Sequence, residues 1–126
     1  MNMILAIALG GAAGAVGRHF VNVGMVSLVG HGFPWGTLVV NVVGSLIMGV
    51  LIHAMATSWT VSPELRALMT VGALGAFTTF STFSLDVVLL YERGQVGLAA
   101  IYVIVSVTLS VGALFVGLKL ARTVFA

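Results

Sequence analysis

Apolar residues run along this chain in four long blocks, at about 3–28, 35–56, 63–91 and 95–121, with short polar punctuation between them. A helix needs about 20 predominantly apolar residues to cross the hydrocarbon core of a bilayer, and each block is long enough. Gly30, Gly32 and Pro34 mark the first turn. Ser62-Pro63-Glu64 reads as an N-cap, a proline at the first helical position and an acid in the first turn, so the third span starts there. Glu92-Arg93-Gly94 closes it. Trp35, Trp59 and Tyr91 fall at span ends, where aromatic belts sit. The four spans use up the chain, so the expected organisation is one all-α membrane domain over 1–126. Met1-Asn2-Met3 lacks the basic flank of a signal peptide, and the first span is expected to be retained.

The third block is unlike the others. Five of the seven residues from Thr78 to Ser84 are hydroxylic, and the other two are Phe80 and Phe83. Such a run inside a membrane either interrupts the helix or lines a polar cavity, because freed backbone groups at that depth need protein or water to satisfy them. With Gly72 and Gly75 just ahead of it, the pattern predicts a helix break near 75–78. The alternative is a continuous helix whose hydroxyls bond back to the preceding turn.

Composition strengthens the membrane reading. The chain is 60% hydrophobic and 6% charged, with a mean hydropathy of +1.23; a soluble domain carries about 25% charged residues. Without cysteines, disulfides and thiolate metal sites are excluded. The five basic side chains, Arg18, Arg66, Arg93, Lys119 and Arg122, lie far apart and form no nucleic-acid patch. They also give a weak orientation signal. Arg66, Lys119 and Arg122 belong to one side of the membrane and Arg93 to the other, joined by Arg18 if it reaches the interface. So feeble an excess is compatible with insertion both ways, and a chain inserted both ways can pair antiparallel with itself.

Polar residues within the spans recur at helical spacing. Thr37, Asn41 and Ser45 form one stripe, Tyr102, Ser106 and Ser110 a second, and Ser81, Thr82 and Ser84 cluster after the expected break. Each is costly in lipid and must face protein or water. Hydrogen bonding between helices would explain any one stripe; three together point to a shared polar track. No carboxylate lies at mid-span, since Asp86, Glu64 and Glu92 fall toward span ends. Donors prevail, which favours an anion as the track's occupant. An aromatic edge is electropositive, so Phe80 and Phe83 could also serve an anion, although packing is the default reading of such a pair. Gly10, Gly14 and Gly17 share a helical face, as packing glycines do. His19, His31 and His53 show no metal-binding spacing.

Three strings carry a resemblance over essentially the whole chain: Gly10-x-x-x-Gly14-x-x-x-Arg18, Gly36-Thr-Leu-x-x-Asn41-x-x-Gly44-Ser, and Gly72-x-x-Gly75-Ala-Phe-Thr-Thr-Phe-Ser-Thr-Phe-Ser84. With them the sequence resembles the Fluc family of bacterial fluoride channels. The resemblance implies an antiparallel, dual-topology homodimer in the bacterial inner membrane, with two pores and passive export of fluoride. It implies that Phe80 and Phe83 meet the ion, beside Asn41, Ser81, Thr82, Tyr102 and Ser106, and that Arg18 lies at the aqueous vestibule. It also implies a structural sodium ion at the dimer axis, held by the backbone carbonyls of Gly75 and Thr78. Two other classes compete. A small proton-coupled exporter needs a glutamate in its first span, where this chain has no acid; a non-transporting scaffold would gain nothing from polar groups at mid-membrane.

Overall fold

The computed structural model describes residues 2–125, all of whose regular structure is helical. Helix α1 is Met3–Val29, α2 is Trp35–Thr57 and α5 is Val96–Val124. The span between them, Pro63–Glu92, is two half-helices: α3 over 63–77 and α4 over Phe80–Glu92. All four spans are long and apolar enough to cross a membrane.

Local chemistry sets the helix ends. Asn2 Oδ1 accepts from Ile4 N at 2.7 Å and Ser62 Oγ from Leu65 N at 3.1 Å, side-chain caps at the starts of α1 and α3. Pro63 occupies the first turn of α3, as its fixed φ and missing N–H allow. Gly30 and Gly94 turn the chain with φ of 79° and 81°, a region that side chains with a Cβ avoid. Helix α5 runs past 121 to Val124, with Arg122 in its last turn, where a cation complements the dipole.

The break in the third span lies at Thr78 and Thr79. The chain is helical through Phe77; Thr78 has ψ of 161°, and Thr79 has φ and ψ of −155° and 125°, both extended. Gly75 is therefore within the last helical turn before the break (φ −61°, ψ −37°). Residues Leu68–Leu74 of α3 wind more loosely, as a π-helical stretch in which the Gly75 N–H reaches back to Thr70 O. The sequence carries no local sign of that widening. It coincides with the seam against α1, where backbones nearly touch.

Close backbone approach replaces the hydrophobic drive that helices lack in lipid. A methyl group at Gly10 would fall on the Leu68 carbonyl, and one at Gly14 on the Ala73 carbonyl. Between α2 and α5, methyls at Gly49 and Gly117 would fall on the carbonyls of Leu114 and Leu46. The buried side-chain core is small, built on Leu38, Phe83, Leu90, Ala99 and Tyr102. Large apolar residues such as Ile4, Leu28, Ile104 and Phe115 point outward, as suits a chain whose solvent is hydrocarbon.

Candidate functional site

Thr78 and Thr79 leave the helix only because other groups take over its hydrogen bonds. Thr79 N donates to Asn41 Oδ1 at 2.8 Å, and Asn41 Nδ2 donates to Thr79 O at 3.0 Å. One carboxamide on α2 thus satisfies both backbone polar groups of Thr79 at the break. Thr79 also caps α4, its Oγ1 accepting from Thr82 N at 3.1 Å. On the other side, Thr78 N and Oγ1 both donate to Leu74 O, at 3.0 and 2.9 Å. The cap was legible in the sequence, since threonine is a favoured N-cap and Thr79 directly precedes the helix Phe80–Glu92, but only Ser62 is named as a cap from the sequence.

A groove of about 410 Å³ opens from this break along α2 and α5. Its lining brings together Asn41, Phe80, Phe83 and Ser106, with Ser45, Thr78, Thr79 and Ser110 beside them. Phe83 is 8% exposed and Phe80 77%, with ring centroids 5.5 Å apart. Phe83 is thus held by the chain's own core, while Phe80 projects from it. Ser106 and Ser110 bury their hydroxyl oxygens without a hydrogen-bond partner. An unpartnered buried hydroxyl costs about 1–3 kcal/mol, and two on one wall mark where a polar occupant would be stabilised.

A second groove, of about 250 Å³, opens at the end that carries the α1–α2 turn. Thr37, Thr82 and Asp86 line it together with Asn22, His31 and Arg93. Tyr102 stands between the two grooves. It is fully buried, its ring 5.1 Å from Phe83 and 5.3 Å from Phe33 by centroids, and its hydroxyl donates to Asp86 Oδ2 at 3.0 Å. The span-two stripe crosses both grooves, with Thr37 in one and Asn41 and Ser45 in the other. Asp86, which sequence reasoning set aside as terminal, belongs to this polar line; its spacing of four from Thr82 was the available signal.

Other expected site residues lie elsewhere. Ser81 is exposed, its hydroxyl 3.4 Å from that of Thr79. Arg18 is half-buried on α1 and lines neither groove; Arg93 lines the second, together with His31 and Asp86. Gly75 is exposed on the outer face of α3. Among the described residues no cluster of His, Asp and Glu could hold a metal ion by side chains.

The sequence profile of the family described as CrcB-like protein, Camphor Resistance (CrcB) matches residues 5–118. A fluoride-specific ion channel FluC of Rhodospirillum centenum is 56% identical over 126 residues, covering 100% of both chains. The protein of the same name from Chelativorans sp. is 51% identical over 98% of this chain and 99% of its own. That from Agrobacterium fabrum is 48% identical over 97% and 98%.

Proposed function

The chain belongs to the CrcB-like family, and from that membership we propose that it is a fluoride-specific ion channel. It is a multi-pass membrane protein of four helical spans, which in bacteria means the inner membrane. It acts as a pathway, not as an enzyme, and fluoride moves down its own gradient.

One observation carries the assignment of the pathway to the first groove. Ser106 and Ser110, whose buried hydroxyls have no partner, line a cleft together with Phe80, Phe83 and Asn41. A small anion entering there loses water, which is expensive in a low-dielectric interior. Hydroxyl donors, the N–H of Asn41 not used on Thr79, and the positive edges of the two rings replace it. Thr82 and Tyr102 continue the polar line beyond Phe83. Ser81 and Arg18, which line neither groove of the single chain, would reach the pathway in the dimer, where Arg18 would raise the local anion concentration at its mouth.

The working unit is an antiparallel homodimer. Gly75, Phe80 and Ser81 are exposed in the single chain although they lie in the middle of a span. Lipid cannot satisfy the backbone of a broken helix, at several kcal/mol for each group; a second copy can cover it. The weak charge bias of the sequence supports pairing in opposite orientations.

The same break fits a sodium ion. In a continued helix Thr79 N–H would reach Gly75 O and Thr82 N–H would reach Thr78 O. Both donors are diverted, to Asn41 Oδ1 and Thr79 Oγ1. Carbonyls freed in this way are the oxygen ligands that hard cations take in broken membrane helices. Gly75 and Thr78 would hold the ion through both subunits of the dimer, and its charge would lock the two breaks together.

Fluoride efflux from proteoliposomes, followed with a fluoride-selective electrode, tests the reading. Rapid release of fluoride without chloride and without a proton gradient is the expected result. Equal release of chloride, or no release from a folded reconstituted protein, would overturn it.

A further inference from the structure

Asn41 spends both ends of its carboxamide on the backbone of a single residue, Thr79. This is an unusual use of a residue in a polar groove, because it leaves one N–H for any ion. Its geometric consequence lies on α3. The N–H that Asn41 Oδ1 captures is the one that would otherwise close the next helical turn onto Gly75 O. The Thr79 hydroxyl does the equivalent for Thr78, by capturing Thr82 N–H at 3.1 Å.

We infer that Asn41 and Thr79 are positioning residues for the cation, which they serve by keeping the Gly75 and Thr78 carbonyls free of helical donors. The inference rests on the sodium reading above. Without Asn41, Thr79 N–H regains Gly75 O as its nearest natural acceptor, and the span can extend its helix through the break. The carbonyl then points along the helix axis, engaged, and the ion loses a ligand. Asn41 would thus act on the cation from a different helix, through a backbone it does not share. The pore lining and the cation site are coupled by construction, because the same side chain borders the groove and sets the break.

The test is sodium-dependent thermal stability of the purified full chain in detergent, with choline chloride holding the ionic strength constant. A ligand that binds only the folded state raises its midpoint in proportion to its occupancy. Wild type should gain stability with sodium and not with choline. Asn41→Leu keeps the side chain's bulk and loses both bonds; it should retain its helical circular dichroism and need about tenfold more sodium for the same shift, as expected for a lost ligand or hydrogen bond. Thr79→Val should weaken sodium binding in the same direction, and Thr79→Ser, which keeps the hydroxyl, should restore it. If wild type is indifferent to sodium, the cation reading falls and takes this inference with it. If wild type responds and Asn41→Leu and Thr79→Val respond at unchanged concentrations, the inference alone falls. Should Asn41→Leu fail to fold, the Thr79→Val and Thr79→Ser pair decides by the same criterion.

Discussion

The Tyr102 hydroxyl donates to Asp86 Oδ2 at 3.0 Å, tying the fourth span to the second half of the third across the wall between two grooves. The ring itself is held independently, by Phe83 and Phe33. Polar and apolar contributions of this residue are therefore separable. Tyr102→Phe should leave the fold intact, lower thermal stability by about 1–3 kcal/mol as a bond to a carboxylate is lost, and slow fluoride efflux. A double-mutant cycle with Asp86→Asn should show strong non-additivity. Additive effects would mean that the two side chains act separately.

Phe80 and Phe83 should separate under the same substitution. Phe83→Ile removes a ring packed at 8% exposure, so stability should fall by about 1–3 kcal/mol. Phe80 is 77% exposed in the chain, and Phe80→Ile should leave the unfolding of the subunit almost unchanged. Both should abolish most fluoride efflux from liposomes. Normal efflux in Phe80→Ile would remove that ring from the pathway.

Ser106→Ala and Ser110→Ala should raise stability or leave it level, because each deletes a buried hydroxyl that has no partner. Efflux should nevertheless decline, since both residues line the groove and their hydroxyls have no other partner. Opposite signs in thermal unfolding and in flux would distinguish a functional polar group from a structural one. A loss of stability in both variants would show instead that the hydroxyls are bonded within the protein.

The glycine seam can be probed with a matched control. Gly10→Ala and Gly14→Ala would drive a methyl onto the carbonyls of Leu68 and Ala73, backbone atoms that cannot step aside cheaply. Overpacking of this kind costs about 1–3 kcal/mol, and the yield of folded protein on size-exclusion chromatography should drop. Gly11→Ala meets nothing within 4 Å in the chain and should behave as wild type. Equal tolerance at all three positions would mean that the seam relaxes freely.

Local pattern was enough to read four spans, the capped start of the third at Ser62 and an interruption near 75–78, which the structure places at Thr78 and Thr79. Hydropathy and capping are properties of neighbouring residues, and a bilayer permits few structures other than helices to satisfy the backbone. The three polar stripes were legible for the same reason, as helical spacing alone puts Thr37, Asn41 and Ser45 on one face. What sequence could not supply were the pairings that give those faces their roles. Asn41 meets Thr79 from 38 residues away and Tyr102 meets Asp86 from 16 away. Asp86 looked terminal until the fourth span laid Tyr102 against it, and nothing in the pattern set Arg93 and His31 beside it in the second groove. The helix ends at Thr78 and Thr79 because a side chain on another span offers their peptide better partners than the next turn would. Such a choice belongs to the packed structure, since the isolated segment offers the Thr79 N–H the next helical turn and the competing carboxamide stands on the neighbouring helix.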